Sequence, residues 1–198
     1  MSLKNIKILF FLIILICAFN TKLFASPKDF ISKLTSSASN ILASSLSKNE
    51  KMQELVNLAE INVDIDGIGM YTLGKYRKML SEEQKKEYET LFKKYFLKSF
   101  SSRLAEYTNP EIDVIGKETL NKNYTIVNSV LKATNERPEI KIDWRIYTKD
   151  PEKPLIRDLI IEGLSLARTQ KEEFASVLSS NDGDIKALFK TLEEFSSK

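Results

Sequence analysis

At residue 111 the apolar period of this chain changes from helical to two, and that change governs what it can fold into. Before it, residues 28–107 carry apolar side chains at three- and four-residue steps. Phe30, Ile31, Leu34, Ile41, Leu42 and Leu46 run through a Ser-rich stretch, and Met52, Leu55, Val56 and Leu58 continue the pattern. After it, residues 139–148 alternate cleanly: Ile140, Ile142, Trp144 and Ile146 face one way, Lys141, Asp143, Arg145 and Tyr147 the other. Turn clusters bound similar runs at 111–120, 124–134 and 155–166, so a sheet of about four strands with short connections is expected, an antiparallel meander. Residues 169–179 and 184–195 return to helical spacing. Helices, then a twisted antiparallel sheet, then helices again read as α+β. A sheet curling around a long helix leaves a cone-shaped interior.

The long helix is the most sharply marked element. Asp64-Ile65-Asp66-Gly67 interrupts the first helical stretch, a short segment follows over 68–79, and Ser81-Glu82-Glu83-Gln84 then forms a capping box. The helix it opens is expected to reach about residue 107. Tyr88, Leu91, Phe92, Tyr95, Phe96, Phe100 and Leu104 make a broad aromatic stripe along it. The plain reading of that stripe is a core face packed on the sheet. The sharper one is that part of it lines a cavity.

Residues 1–25 have the pattern of a secretory signal peptide. Lys4 and Lys7 precede an apolar run over 8–19, and Ala25 stands at the expected cut. The run falls short of the roughly 20 apolar residues that span a bilayer. An uncleaved anchor is the alternative, and Ile16 before Cys17 lacks the small residue a lipoprotein site wants. Residues 26–198 would then be a single exported domain. The leader takes Lys4, Lys7 and Lys22 and no acid, so the chain's 30 basic and 27 acidic residues become 27 of each. A neutral domain lacks the basic footprint of a nucleic-acid binder.

The sequence has no histidine, and its single cysteine, Cys17, lies in the leader. That excludes His- or Cys-based zinc sites and nucleophile pairs from the remaining domain. No metal, cofactor or catalytic set is expected. Gly163-Leu164-Ser165-Leu166-Ala167 is not a nucleophile elbow, since Ala167 replaces the final glycine.

Three segments in order carry a resemblance. They are Leu73-Gly74-Lys75-Tyr76-Arg77 with the capping box and aromatic helix behind it, the strand Trp144-Arg145-Ile146-Tyr147, and residues 158–166 followed by Arg168 and Phe174. Together they resemble the MlaC-type periplasmic phospholipid-binding proteins, also called the toluene-tolerance auxiliary family, over roughly residues 28–195. Tyr76 stands where many relatives carry Trp. The resemblance implies a fold like that of nuclear transport factor 2, with acyl chains held in an apolar cavity between sheet and helices. It implies a periplasmic carrier that shuttles phospholipid between outer and inner membranes and maintains outer-membrane lipid asymmetry. Its partners would be an outer-membrane lipoprotein complex and an inner-membrane ABC transporter with an MCE-type subunit, and a monomer is the simplest state for a shuttle.

On that reading Ile142, Trp144, Ile146, Ile160 and Leu164 form the sheet wall of the lipid site. Tyr71, Leu73, Tyr76, Phe92, Phe96 and Phe100 form the helical wall. For these residues a place in the core is the plainer role. Arg77 and Arg168 are candidate headgroup contacts, because guanidinium forks suit phosphate oxygens. Salt bridges to Glu162 or Asp158 are the plainer role. Two other classes stay open: a small-molecule enzyme on the same architecture using Asp143 or Asp158, and an envelope adaptor or chaperone offering an apolar surface to another protein.

Overall fold

The computed structural model describes residues 26–135 and 137–197; residues 1–25, read above as a signal peptide, lie outside them. The chain begins with α1 (Pro27–Ala43), opened by Ser26, whose hydroxyl accepts from the Asp29 amide, and by Pro27 in the first turn. A Ser47/Glu50 capping box starts α2 (Lys48–Asn62). Asp64 then caps α3 (Ile65–Thr72), accepting from the Gly67 amide at 2.9 Å. The Asp64-Gly67 stretch is therefore a helix start as well as an interruption. A 3₁₀ turn (Gly74–Lys78) leads to α4 (Glu82–Leu104), which opens on the expected Ser81/Gln84 box.

Five strands follow: β1 (Ile112–Asn121), β2 (Tyr124–Leu131), β3 (Ile140–Tyr147), β4 (Leu155–Ile161) and β5 (Leu164–Ser165). They pair in sequence order, all antiparallel. The chain closes with α5 (Leu166–Ser179) and α6 (Ile185–Ser197).

The fold is α+β, as the sequence indicates, with two corrections. Residues 155–166 are not one strand. Glu162 (φ 49°) and Gly163 (φ 82°) are both left-handed, the geometry of a tight two-residue hairpin turn. The chain doubles back there into β5, and Leu166 already belongs to α5. The second correction concerns α4, which packs on α2, α3 and α6. The sheet is covered directly by α1 on β1 and β2, and by α3 and α5 on β4.

Two cores result. The helical core gathers Tyr88 and Phe92 of α4, Leu73 and Tyr76 of the turn before it, Phe174 and Leu178 of α5, and Leu188, Phe189 and Leu192 of α6. Its rings interlock: Phe92 meets Phe174 edge-on at 6.2 Å, and Tyr88 stacks on Phe92 at 5.7 Å. The sheet core is smaller, with Ile31 of α1 on Val127, Ile146 and Ile156. Val63, in the link between α2 and α3, packs against both.

Candidate functional site

Residues directly opposite in an antiparallel ladder share a face. Trp144 lies between Val127 and Leu159, Ile142 between Ser129 and Ile161, and Ile146 between Thr125 and Ile156. These make the apolar face beneath α1. Trp144 is fixed there by its indole N–H, which donates to Ser129 Oγ at 2.8 Å, while the Ser129 hydroxyl donates to the Ile142 carbonyl.

The other face carries Tyr124 beside Tyr147, Ile126 beside Arg145 and Asp158, and Asn128 beside Asp143 and Ile160. Asp143 does not simply point to water: its carboxylate accepts from Asn128 Nδ2 at 2.9 Å. At one end of this face a cleft of about 330 Å³ opens between the strands and α3. Ile68 and Tyr71 of α3, Tyr124, Arg145, Arg157 and Asp158 of the strands, and Ala167 of α5 line it.

The groups in that cleft are held by the helix starts around it. Asp158 is 4 % exposed. Its Oδ2 accepts from the Ser165 hydroxyl at 2.6 Å and its Oδ1 from the Ala167 amide at 3.0 Å, so it ties the first turn of α5 to β4. Arg157 is ion-paired to Asp64, the cap of α3, and its guanidinium lies 4.7 Å above the Tyr147 ring. Gly67 makes room for it, because a Cβ there would sit 2.5 Å from the Arg157 Cζ. A second hollow, of about 560 Å³, lies among loop residues including Tyr107, Thr108 and Arg137.

The residues singled out from the sequence fall in several places. Leu73, Tyr76 and Phe92 are buried in the helical core. Phe96 is partly buried against it and stacks on Phe100 at 5.9 Å, the rings 8° from parallel. Tyr71 is exposed at the cleft rim, with Lys171 Nζ 5.1 Å above its ring. Ile142, Trp144 and Ile146 share the face under α1, but Ile160 pairs with Asp143 and lies on the opposite face. Leu164 is 59 % exposed on β5. The proposed sheet wall is thus not one surface. Arg77 is exposed in the 3₁₀ turn and Arg168 in the first turn of α5; neither lines the cleft.

Arg145 and Arg157 do line it, and sequence reasoning passed over both. Arg145 sits on the polar register of a cleanly alternating strand and reads as a solvated face. Adjacent Arg157-Asp158 within an otherwise apolar run was the available signal.

Burial also marks two tyrosines. It raises the Tyr88 phenol well above the usual tyrosine value, partly opposed by a hydrogen bond with Thr72. Tyr95 is raised too, chiefly by burial; its hydroxyl donates to Gln170 at 2.7 Å. Among the described residues no group of three or more His, Cys, Asp or Glu could hold a metal. No helix among them is long and apolar enough to cross a membrane.

No curated protein matches the chain significantly. Among solved structures seven chains match. One is a phospholipid-binding protein from Ralstonia solanacearum, solved in complex with a phospholipid. It superposes with a TM-score of 0.71 at 19 % identity, covering 86 % of this chain and 96 % of that one. The MlaC protein family model matches residues 31–194, from α1 to the last turns of α6. The match runs through both cores and the whole sheet, and the chain belongs to the MlaC family.

Proposed function

We propose that this chain is a phospholipid carrier that holds acyl chains between its sheet and its helical layer. The observation that carries the reading is the fold shared nearly end to end with a protein solved holding a phospholipid. The two-core architecture supports it. Ile142 and Trp144 on the sheet and Phe96 and Phe100 on α4 are only partly buried, so a lipid tail has apolar surface left to cover on both layers. The 330 Å³ cleft opens on the other face of the sheet from Trp144 and is at the lower end of drug-sized pockets, so it does not hold two full tails, and the layers must part to admit them. Two sixteen-carbon tails leaving water contribute on the order of 20 kcal/mol before ordering and cavity costs. Unassisted release is therefore slow.

The carrier works in the periplasm as a monomer after removal of residues 1–25. It moves phospholipid between an outer-membrane lipoprotein complex and an inner-membrane ABC transporter with an MCE-type subunit. A catalytic role for Asp158 is disfavoured, since both its oxygens already accept from the start of α5.

Native mass spectrometry of protein purified from cells, with lipid analysis of what dissociates, tests this. The expected result is a bound mass matching phospholipid at about one per chain. A bare chain that also takes up no phospholipid from vesicles would overturn it.

A further inference from the structure

We infer that the cleft between α3 and the polar face of the sheet is a phosphate-binding site, with Arg145 as its principal donor and Arg157 as its second.

Two guanidiniums line one cleft, and the acids near them already have their acceptors engaged. Asp158 accepts from Ser165 and Ala167. Asp64 accepts from the Gly67 amide and from Arg157 Nε. Arg145 is left with the least. Its ion pair with Asp158 spans 3.8 Å, too long for a hydrogen bond. Its Nε is buried and finds no acceptor among the described residues. A guanidinium offers five N–H donors and no acceptor, so the cleft has donors to spare. The group that satisfies a rigid fork of unfilled donors is an anion with several oxygens in one plane or tetrahedron, with phosphate the best match.

Arg157 is built to stay in place. Asp64 holds one edge, the Tyr147 ring lies under its face, and Gly67 admits it against α3. Arg145 remains 40 % exposed at its side chain, so it can meet a ligand entering from solvent. The rim is apolar and aromatic, with Tyr71, Leu120 and Tyr124. That combination suits a phosphate attached to an apolar group better than a free ion. The cleft is on the sheet face opposite Trp144. As a lipid headgroup site the inference therefore rests on the carrier reading and on tails that pass the end of the sheet at the β1–β2 turn, whose Leu120 and Tyr124 line the rim; as a phosphate site it rests on neither.

The test compares transfer of phosphatidylglycerol and of diacylglycerol with the same acyl chains from vesicles, for the wild type, Arg145→Gln and Arg145→Lys. Binding of inorganic phosphate is followed by calorimetry and by the NMR signals of the arginine Nε–H groups. Wild type is expected to favour the phosphate-bearing lipid by about 10- to 100-fold, the scale of one or two hydrogen bonds to a charged group. R145Q should lose that preference while taking up diacylglycerol as before, and R145K should recover only part of it. Lipid uptake with no preference, or a preference that R145Q keeps, overturns the site and leaves the carrier reading standing. No uptake of either lipid, with inorganic phosphate bound in an Arg145-dependent way, keeps the site, assigns it to free phosphate and overturns the carrier reading. Neither lipid nor phosphate overturns both. If R145Q does not fold, the Arg145 Nε–H signal of the wild type decides: a shift on adding phosphate or lipid supports the site, and none refutes it.

Discussion

Trp144 is the only tryptophan in the chain, and it stands on the face proposed to meet acyl chains. Phospholipid brominated in mid-chain quenches indole fluorescence only on close approach, so loading the protein with it asks directly whether tails reach this face. A tryptophan buries up to about 250 Å². Trp144 is already partly covered, so on the order of a quarter of that area, roughly 60 Å², is left for a tail. At about 25 cal/mol per Å² that is about 1.5 kcal/mol, or some tenfold in affinity. Trp144→Ala should therefore weaken phospholipid binding about tenfold. It should also cost about 2–4 kcal/mol in stability, less than a fully buried tryptophan would, because it opens a cavity and loses the Ser129 bond. Ile160→Ala is the control. It lies on the opposite face, beside Asp143, and should leave binding within about twofold. Urea titration of each variant sets aside unfolding as the cause of any loss. Bound brominated lipid that leaves Trp144 fluorescence unchanged would refute the placement of the tails. So would an equal loss of affinity in I160A.

Three other outcomes follow from the packing. The Tyr88 phenol is raised in the fold, so its contribution is complete below the unfolded value near 10 and is lost as pH climbs toward the folded value. Each unit above 10 should remove about 1.4 kcal/mol, and Tyr88→Phe should flatten that slope in urea titrations at pH 10–12; an unchanged slope would discount it. Asp158→Ala strips acceptors from Ser165 and Ala167 and should cost about 2–3 kcal/mol, with amide exchange fastest in the first turn of α5. Gly67→Ala places a methyl against Arg157. Because Asp64 and Tyr147 pin that side chain, a loss of about 1–2 kcal/mol is expected, read as a lower melting temperature, and neutrality would mean the guanidinium moves freely.

The features legible in the sequence are the local ones. A capping box is written in four residues, so the start of α4 needed nothing beyond Ser81 and Gln84. The β1–β4 meander was legible because its turns are polar. The turn into β5 was hidden because apolar residues continue across it, Ile160-Ile161 before and Leu164 after, and only the backbone at Glu162 and Gly163 marks it. The partner of the aromatic stripe was hidden for a different reason. An apolar helical face specifies burial and leaves open whether a strand or another helix covers it, and here Phe174 and Phe189 meet it from α5 and α6.

The site was less legible than the fold because its residues depend on a shift in register. Strict alternation from Ile156 would put Ile160 on the same face. Instead the ladder slips between Arg145 and Ile146, so Ile146 opposes Ile156 while Trp144 opposes Leu159, and Arg157 is the extra residue. A bulge of this kind re-aims side chains, and it has two effects. It moves Ile160 away from Trp144, dividing a wall that looked continuous. It also brings Arg157 and Arg145 to the same cleft, although their neighbours in sequence suggest a buried strand and a solvated face. The slip lies beside the place where Val63 bridges to Ile156 and the Asp64 amide donates to the Ile156 carbonyl. Val63 packs against both cores, so the link between α2 and α3 is anchored to the sheet where the two layers meet. If the layers separate to admit acyl chains, they separate away from this anchor, and the cleft with its two arginines stays fixed beside it.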